Sequence, residues 1–294
     1  MPRTGFETAA DGAGPRGLHV VVRPPVSGWD RRRPGVLDGA PTGVDEAPTV
    51  VFVHGSLDRA ASFGRVARRL PELRVVAYDR RGYQGSRSLG PGTFERHVTD
   101  LLDVAAAAAG GRPVLAAGHS LGGLVALSAA LLRPAQFVGI AAYEPPPIDR
   151  AAAGPAPEPG GDLESTVGRF FGAFGGPGSW AALPARARQE RIADGPALVA
   201  DLRSARTRFE PDPAALGVPA VFGLGSRASA THRASVARLL RVVPGSLEHR
   251  IEGAAHGAHL SHPDAFARFV RLAWEHATGS APGRPGARGE GYRG

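Results

Sequence analysis

The residues whose types and spacing best suit chemistry are Gly118-His119-Ser120-Leu121-Gly122-Gly123, which follow an apolar run at 114–117 and open an apolar helical segment at 121–132. A serine hydroxyl is a poor nucleophile unless it is exposed and partnered by a base. A tight strand-to-helix turn with glycine on either side lifts it clear of the sheet edge without steric clash. The helix that follows brings the positive end of its dipole to the same place. An ordinary glycine turn is the bland alternative, but the flanking strand and helix both favour the nucleophile. A second group, His256, His259 and His262, lies just ahead of an amphipathic segment that starts at Pro263. Their spacing of three also resembles a metal cluster, yet on a loop without an accompanying carboxylate pattern this is the weaker reading. The chain has no cysteine, which excludes thiol nucleophiles, thiolate metal sites and disulfides together.

These residues need a scaffold, and 294 residues with 43% hydrophobic content can supply a large core. Short apolar runs at 50–53, 74–77, 114–117, 137–143, 220–224 and 247–251 predict strands. Segments at 63–70, 94–109, 121–132, 232–242 and 263–277 predict helices. Such alternation implies an α/β fold, a mostly parallel, doubly wound sheet covered on both faces. The rhythm breaks after residue 144, where strands give way to Pro/Gly loops and helical pieces bearing Phe170, Phe171, Phe174 and Trp180. This stretch, 145–213, reads as a helical cap inserted into a core made of 18–144 and 214–278. The Gly-, Pro- and Arg-rich ends, 1–17 and 279–294, read as mobile tails.

The order of the motifs resembles the α/β-hydrolase superfamily over about residues 49–277. After the first clear strand comes His54-Gly55-Ser56, and after the next comes Asp79-Arg80-Arg81-Gly82-Tyr83-Gln84-Gly85-Ser86, similar to that family's D-x-R-G-x-G-x-S turn. The resemblance implies a sheet with an inserted cap and an oxyanion hole built from the backbone N–H groups of Ser56 and Leu121. Such donors contribute several kcal/mol because they need no reorganisation as charge appears. It also implies structural roles for His54 and the 79–86 turn. The family pattern G-x-G-H, with a downstream His-Leu and a helix-starting Pro, aligns His256 with the general base and leaves His259 as second choice. Serine at the nucleophile position argues against the haloalkane dehalogenases and epoxide hydrolases of the same fold, which use Asp there.

The acid is where this chain departs from the common pattern, in which an Asp follows the 220–224 strand in a G-x-x-D turn. Here that turn is Gly225-Ser226-Arg227-Ala228, and no Asp or Glu lies between Asp212 and Glu248. Some members of the superfamily carry the acid after the preceding strand, which in this chain ends at Glu144, followed by Pro145, Pro146 and Pro147. Glu144 is therefore the expected acid. Pro145 predicts extended dihedrals for it and a stiff exit from the sheet. Asp149 is the next candidate, and a solvated glutamate at a cap hinge is the bland alternative.

The resulting expectation is a serine hydrolase that cleaves an ester, thioester or lactone through an acyl-enzyme on Ser120, with no cofactor and no metal. The cap aromatics suggest a partly apolar small-molecule substrate. Perhydrolase or lyase chemistry on the same constellation, and a non-catalytic small-molecule binder, stay open. Gly223-Leu224-Gly225-Ser226-Arg227-Ala228 with Glu248 mimics a dinucleotide fingerprint, but only about 70 residues follow, too few for a complete dinucleotide domain. The formal charge of +8 invites a nucleic-acid reading, yet all 35 basic residues are arginine and none forms a stripe, so no nucleic-acid partner is expected. The most apolar window, 113–132, contains Gly118, His119 and Ser120 and does not suit a membrane span. Arg3, Glu7, Asp11 and Arg16 interrupt any signal-peptide stretch, so a cytoplasmic protein without a membrane partner is expected. The oligomeric state stays open.

Overall fold

The computed structural model describes residues 7–26, 47–148, 162–176, 178–204 and 212–280. The first half runs β1 (Glu7–Ala13), β2 (His19–Arg23), β3 (Thr49–Val53), α1 (Gly64–Ala67), β4 (Arg74–Tyr78), α2 (Phe94–Ala108), β5 (Val114–His119), α3 (Leu121–Leu132) and β6 (Phe137–Tyr143). Three helices follow before the sheet resumes: α4 (Leu163–Gly175), α5 (Ala185–Ala193) and α6 (Gly195–Ser204). The chain then forms β7 (Ala220–Gly225), α7 (Ala230–Val242), β8 (Leu247–Ile251), α8 (Ala258–Ser261) and α9 (Pro263–Thr278).

The sheet has eight strands in the order β1-β2-β4-β3-β5-β6-β7-β8. Only β2 runs against its neighbours; β4, β3, β5, β6, β7 and β8 pair in parallel. The period of two along a strand sorts the side chains. Val51 and Val53 of β3 join the cluster under α2, α3 and α7, while Val50 and Phe52 join the one under α1 and α9. Both faces are therefore dry, which is why the central strands read as unbroken apolar runs. Phe266, Phe269 and Val270 of α9 are fully buried, each stabilising by roughly 1.5–3 kcal/mol relative to exposure. They fix the downstream end of the loop that carries His256.

One expectation is corrected at the N-terminus. The tail predicted through residue 17 is ordered from residue 7: β1 pairs with β2, with Glu7 opposite Val22, and 15–17 form a 3-10 turn. Glu-Thr-Ala-Ala-Asp-Gly-Ala has no apolar alternation. Its order comes from the row of backbone donors and acceptors that β2 would otherwise leave open at the sheet edge. β2 itself was not among the expected strands.

Candidate active site

Ser120 occupies the turn between β5 and α3 with φ 53° and ψ −126°, a conformation that costs a non-glycine residue about 1–3 kcal/mol. Packing around the turn supplies the compensation. The Ser120 N–H donates to Tyr143 O at 2.9 Å, and the Gly123 N–H donates to Ser120 O at 2.8 Å. A Cβ on Gly118 would collide with the Gly122 carbonyl, and one on Gly122 with the Val53 carbonyl, so glycine at both lets α3 start directly on the sheet. Of the five non-glycine residues with positive φ among the described residues, Leu57, Gln84, Ser120 and Glu144 lie in the loops that follow the sheet strands, while Arg16 lies in the N-terminal turn.

Ser56 lies in the loop after β3, which Gly55 brings against the serine: a Cβ on Gly55 would sit 2.9 Å from Ser120 Cβ. Among the described residues, neither the Ser56 nor the Leu121 amide N–H donates to a protein acceptor. His54 braces this loop, accepting from the Arg80 N–H at Nε2 (2.8 Å) and donating from Nδ1 to Gly55 O (2.7 Å). Burial, reinforced by the Arg80 charge, pushes its pKa down to about 4.

Glu144 follows β6, fully buried, its N–H donating to Gly223 O at 2.9 Å. Its Oε1 accepts the Gly225 N–H at 2.9 Å, and its Oε2 accepts from His256 Nδ1 at 2.9 Å. Burial opposes the charge, but the His256 bond and the Gly225 amide outweigh it, so the carboxyl lies below the ordinary glutamate range. An ionised carboxylate can only accept, so His256 carries its proton on Nδ1 and leaves Nε2 bare. The extended backbone expected of Glu144 is not found, since its φ is 44°. Its N–H bond to Gly223 O and the Gly225 N–H bond to its Oε1 tie it to β7 and override the bias from Pro145. Asp149 lies outside the described residues.

The other two histidines go elsewhere. His259 Nε2 donates to Asp58 Oδ2 at 3.1 Å, and His262 Nδ1 meets Ser261 Oγ at 2.8 Å, so the three do not converge as metal ligands. Two trios, Asp58-His119-His259 and Glu144-His232-His256, bring ligand-type atoms within 4.8 Å, but in each the carboxylate already takes a ring N–H. The Gly223–Gly225 stretch is no dinucleotide turn. A Cβ on Gly223 would press on Tyr143 at 2.6 Å, and one on Gly225 would strike the Ala254 carbonyl.

Ser120 is half-buried and, among the described residues, its Oγ has no hydrogen-bond partner; Ser120 and the His256 loop are linked through their neighbours. His119 Nε2 donates to His256 O at 2.9 Å, and the Tyr143 hydroxyl donates to Ala255 O at 3.0 Å. Tyr143 thus holds the Ser120 amide with its carbonyl and the His256 loop with its phenol. Sequence reasoning missed it, and it missed two carboxylates of the inserted helices. Buried Asp201 of α6 accepts from Arg80 (2.7 and 3.2 Å), the Tyr83 hydroxyl (2.6 Å) and Ser56 Oγ (2.6 Å). Buried Asp194 accepts from the Gln84 side chain at 2.5 Å and from Arg87 at 2.6 Å. Both carboxylates clamp the inserted helices to the Asp79–Ser86 turn, and Asp201 also holds the Ser56 loop. The pattern Asp79-Arg80-Arg81-Gly82-Tyr83 was the available signal that partners would arrive here.

A profile described as the alpha/beta hydrolase family matches residues 50–269. The chain belongs to the alpha/beta hydrolase family. It is 32% identical over 96 residues, 33% of the chain, to Lipase LipV of Mycobacterium tuberculosis, and this match spans about a third (36%) of that relative's length. Solved structures share the fold. A hydrolase from Pseudomonas aeruginosa PA01 has a TM-score of 0.65 at 21% identity, covering 92% of this chain and 97% of that one. The enol-lactonase from Burkholderia xenovorans LB400 has a TM-score of 0.65 at 18% identity, covering 90% and 98%. Among the described residues no helix is long and apolar enough to cross a membrane.

Proposed function

We propose that this alpha/beta hydrolase is a serine hydrolase that cleaves an ester, thioester or lactone of a small, partly apolar substrate. Ser120 Oγ adds to the acyl carbon while its proton passes to His256 Nε2. The carbonyl oxygen, now negative, takes hydrogen bonds from the Ser56 and Leu121 amides. The tetrahedral adduct collapses, His256 returns the proton to the departing oxygen or sulfur, and the acyl group stays on Ser120. Water, deprotonated by the same imidazole, then releases the acid and restores the hydroxyl. Glu144 holds the ring in the Nδ1–H tautomer and stabilises its transient positive charge.

The observation that carries this reading is the buried Glu144 carboxylate, 2.9 Å from His256 Nδ1, beside a positive-φ serine at a strand-to-helix turn. Phe174 of α4, 44% exposed and stacked on His256 at 4.8 Å, supports an apolar group on the substrate. Phe170 and Trp180 instead pack in a small cluster with Leu57, Tyr83 and Leu198. Neither nucleic acid nor a membrane is a partner in this reading: Arg69, Arg80, Arg81, Arg87 and Arg271 all pair with carboxylates of the same chain. The test is labelling with an activated fluorophosphonate, followed by peptide mass mapping and turnover of short p-nitrophenyl esters. Label on Ser120 and its loss, with turnover, in Ser120→Ala are expected. Folded protein that takes no label, or takes it elsewhere, overturns the proposal.

A further inference from the structure

The last strand of the sheet has a neighbour on one side only. β8 pairs with β7, with Gly223 opposite His249 and Gly225 opposite Ile251. The Ser226 N–H donates to Ile251 O at 3.0 Å, so Ile251 turns its backbone groups toward β7 and, by the alternation of the ladder, so do His249 and Leu247. Glu248 and Arg250 therefore turn their N–H and C=O groups outward, past the end of the sheet, where no loop bond among the described residues takes them. Their side chains share one face of the strand, in register with Phe222 and Leu224, and both are exposed. Among the described residues neither side chain has an ion pair.

We propose that β8 is a docking edge for a second copy of this chain, paired antiparallel about a two-fold axis through His249. Glu248 then lies opposite the partner's Arg250 and exchanges two backbone hydrogen bonds with it, and Arg250 does the same with the partner's Glu248. Opposite charges directly across an antiparallel ladder stabilise it, and like charges there destabilise it. Charged side chains commonly keep a free strand edge from pairing. In Glu248-His249-Arg250 the order of charge is its own complement under the two-fold, so the charges that repel other edges select this one. The opposite edge of the sheet is no substitute, since β1 carries Glu7 and Asp11 and no basic residue. On the other face of β8, Leu247, 39% exposed, comes opposite the partner's Ile251, while the His249 ring stays against Phe269 of its own α9 at 5.8 Å. The pairing closes on itself and stops at two copies. One five-residue strand per copy falls short of the roughly 1,200–2,000 Å² of a stable interface, so the dimer dissociates on dilution. Assembly is read without turnover and is independent of the serine-hydrolase reading.

Light scattering behind size-exclusion chromatography, run on the full chain over a concentration series, is expected to show the mass rising from 30.4 kDa toward twice that value. Glu248→Arg and Arg250→Glu each set like charges opposite one another and are expected to raise the dissociation constant about tenfold or more. The double variant restores opposite charges in exchanged order and is expected to return to the parent value. A parent protein that stays at 30.4 kDa at every concentration, single variants that associate as the parent does, a double variant no better than the singles, or growth beyond two copies overturns the proposal. The chain has no cysteine, so an introduced thiol gives a second readout. On the axis, the two Cα atoms of a pair without mutual hydrogen bonds stand about 4.5 Å apart, within disulfide reach. Mild oxidation is expected to couple His249→Cys into a dimer while Ser261→Cys, at an exposed position of α8, stays monomeric. No coupling of His249→Cys, or equal coupling of both variants, overturns the proposal.

Discussion

Glu144→Gln removes one negative charge and changes almost no volume, so its effect can be worked out from the site. The carboxylate of Glu144 is fully buried, and its two oxygens are committed to the Gly225 N–H and to His256 Nδ1. An amide has only one acceptor oxygen. Either its NH2 faces the Gly225 N–H, or it faces His256 and forces the ring into the other tautomer, with Nε2 protonated and useless as a base. The imidazolium formed in the transition state also loses its counter-charge. Two unit charges about 4 Å apart attract by about 4 kcal/mol at an effective dielectric constant near 20. At about 1.4 kcal/mol per factor of ten, kcat should fall about a thousandfold. KM should change little, because the side chain is screened from substrate by His256. Stopped assays with p-nitrophenyl acetate, with near-UV circular dichroism to verify packing, read both constants. A folded Glu144→Gln protein within tenfold of the parent kcat would refute the reasoning and shift attention to Asp149.

Other outcomes follow from the same geometry. Asp201→Asn strips the charge that balances buried Arg80 and is expected to cost about 3–5 kcal/mol in urea unfolding, whereas joint replacement by Arg80→Met and Asp201→Leu should recover much of it; equal losses in both proteins would deny the ion pair its role. Gly225→Ala, whose Cβ would strike the Ala254 carbonyl and approach the Tyr143 hydroxyl to 2.7 Å, is expected to cost about 1–3 kcal/mol and lower kcat by displacing the His256 loop; wild-type melting and turnover would contradict this. Stability should also fall on mild acidification. His54 titrates near 4 in the folded state against about 6.5 unfolded, so the unfolded chain binds the extra proton and His54 alone contributes about 2 kcal/mol of loss between pH 7.5 and 5. Below that range Glu144 and Asp79, both held under their ordinary values, lose their contributions in turn as they protonate. Urea midpoints measured at pH 7.5, 6 and 5 would contradict this if they coincide.

Where side-chain chemistry repeats along the chain, the fold was legible. Five of the six runs, rich in Val, Ile, Leu, Ala and Phe, are strands because both faces of the parallel sheet are dry there, the sixth (Leu247–Ile251) is a largely exposed edge strand, and the helix at 121–132 has the bounds expected of it. β1 was illegible because Glu7–Ala13 has no alternation to read and is ordered by its partner strand. In the site, the Glu144–His256 contact joins residues 112 apart, and the sequence pointed toward it through the missing acid after the 220–224 strand together with the resemblance to superfamily members that carry it one strand earlier. Tyr143 and Asp201 had no such handle. Each acts through contacts with distant residues, Asp201 reaching Arg80 across 121 positions, and each looks in isolation like an ordinary helix or strand residue.

The two clamping carboxylates also bear on how this member of the family can diverge. Asp194 and Asp201 hold the end of α5 and the length of α6, where Ala197, Leu198 and Leu202 are buried as well, whereas α4 buries only Thr166 and Val167. The carboxylate clamps therefore lie at α5 and α6, while α4 joins them through Val167 and Phe170, packed with Leu57, Tyr83 and Leu198. On the proposed reading, substitution of Phe174, which stacks on His256, would change what the site accepts while leaving the Asp194 and Asp201 clamps untouched.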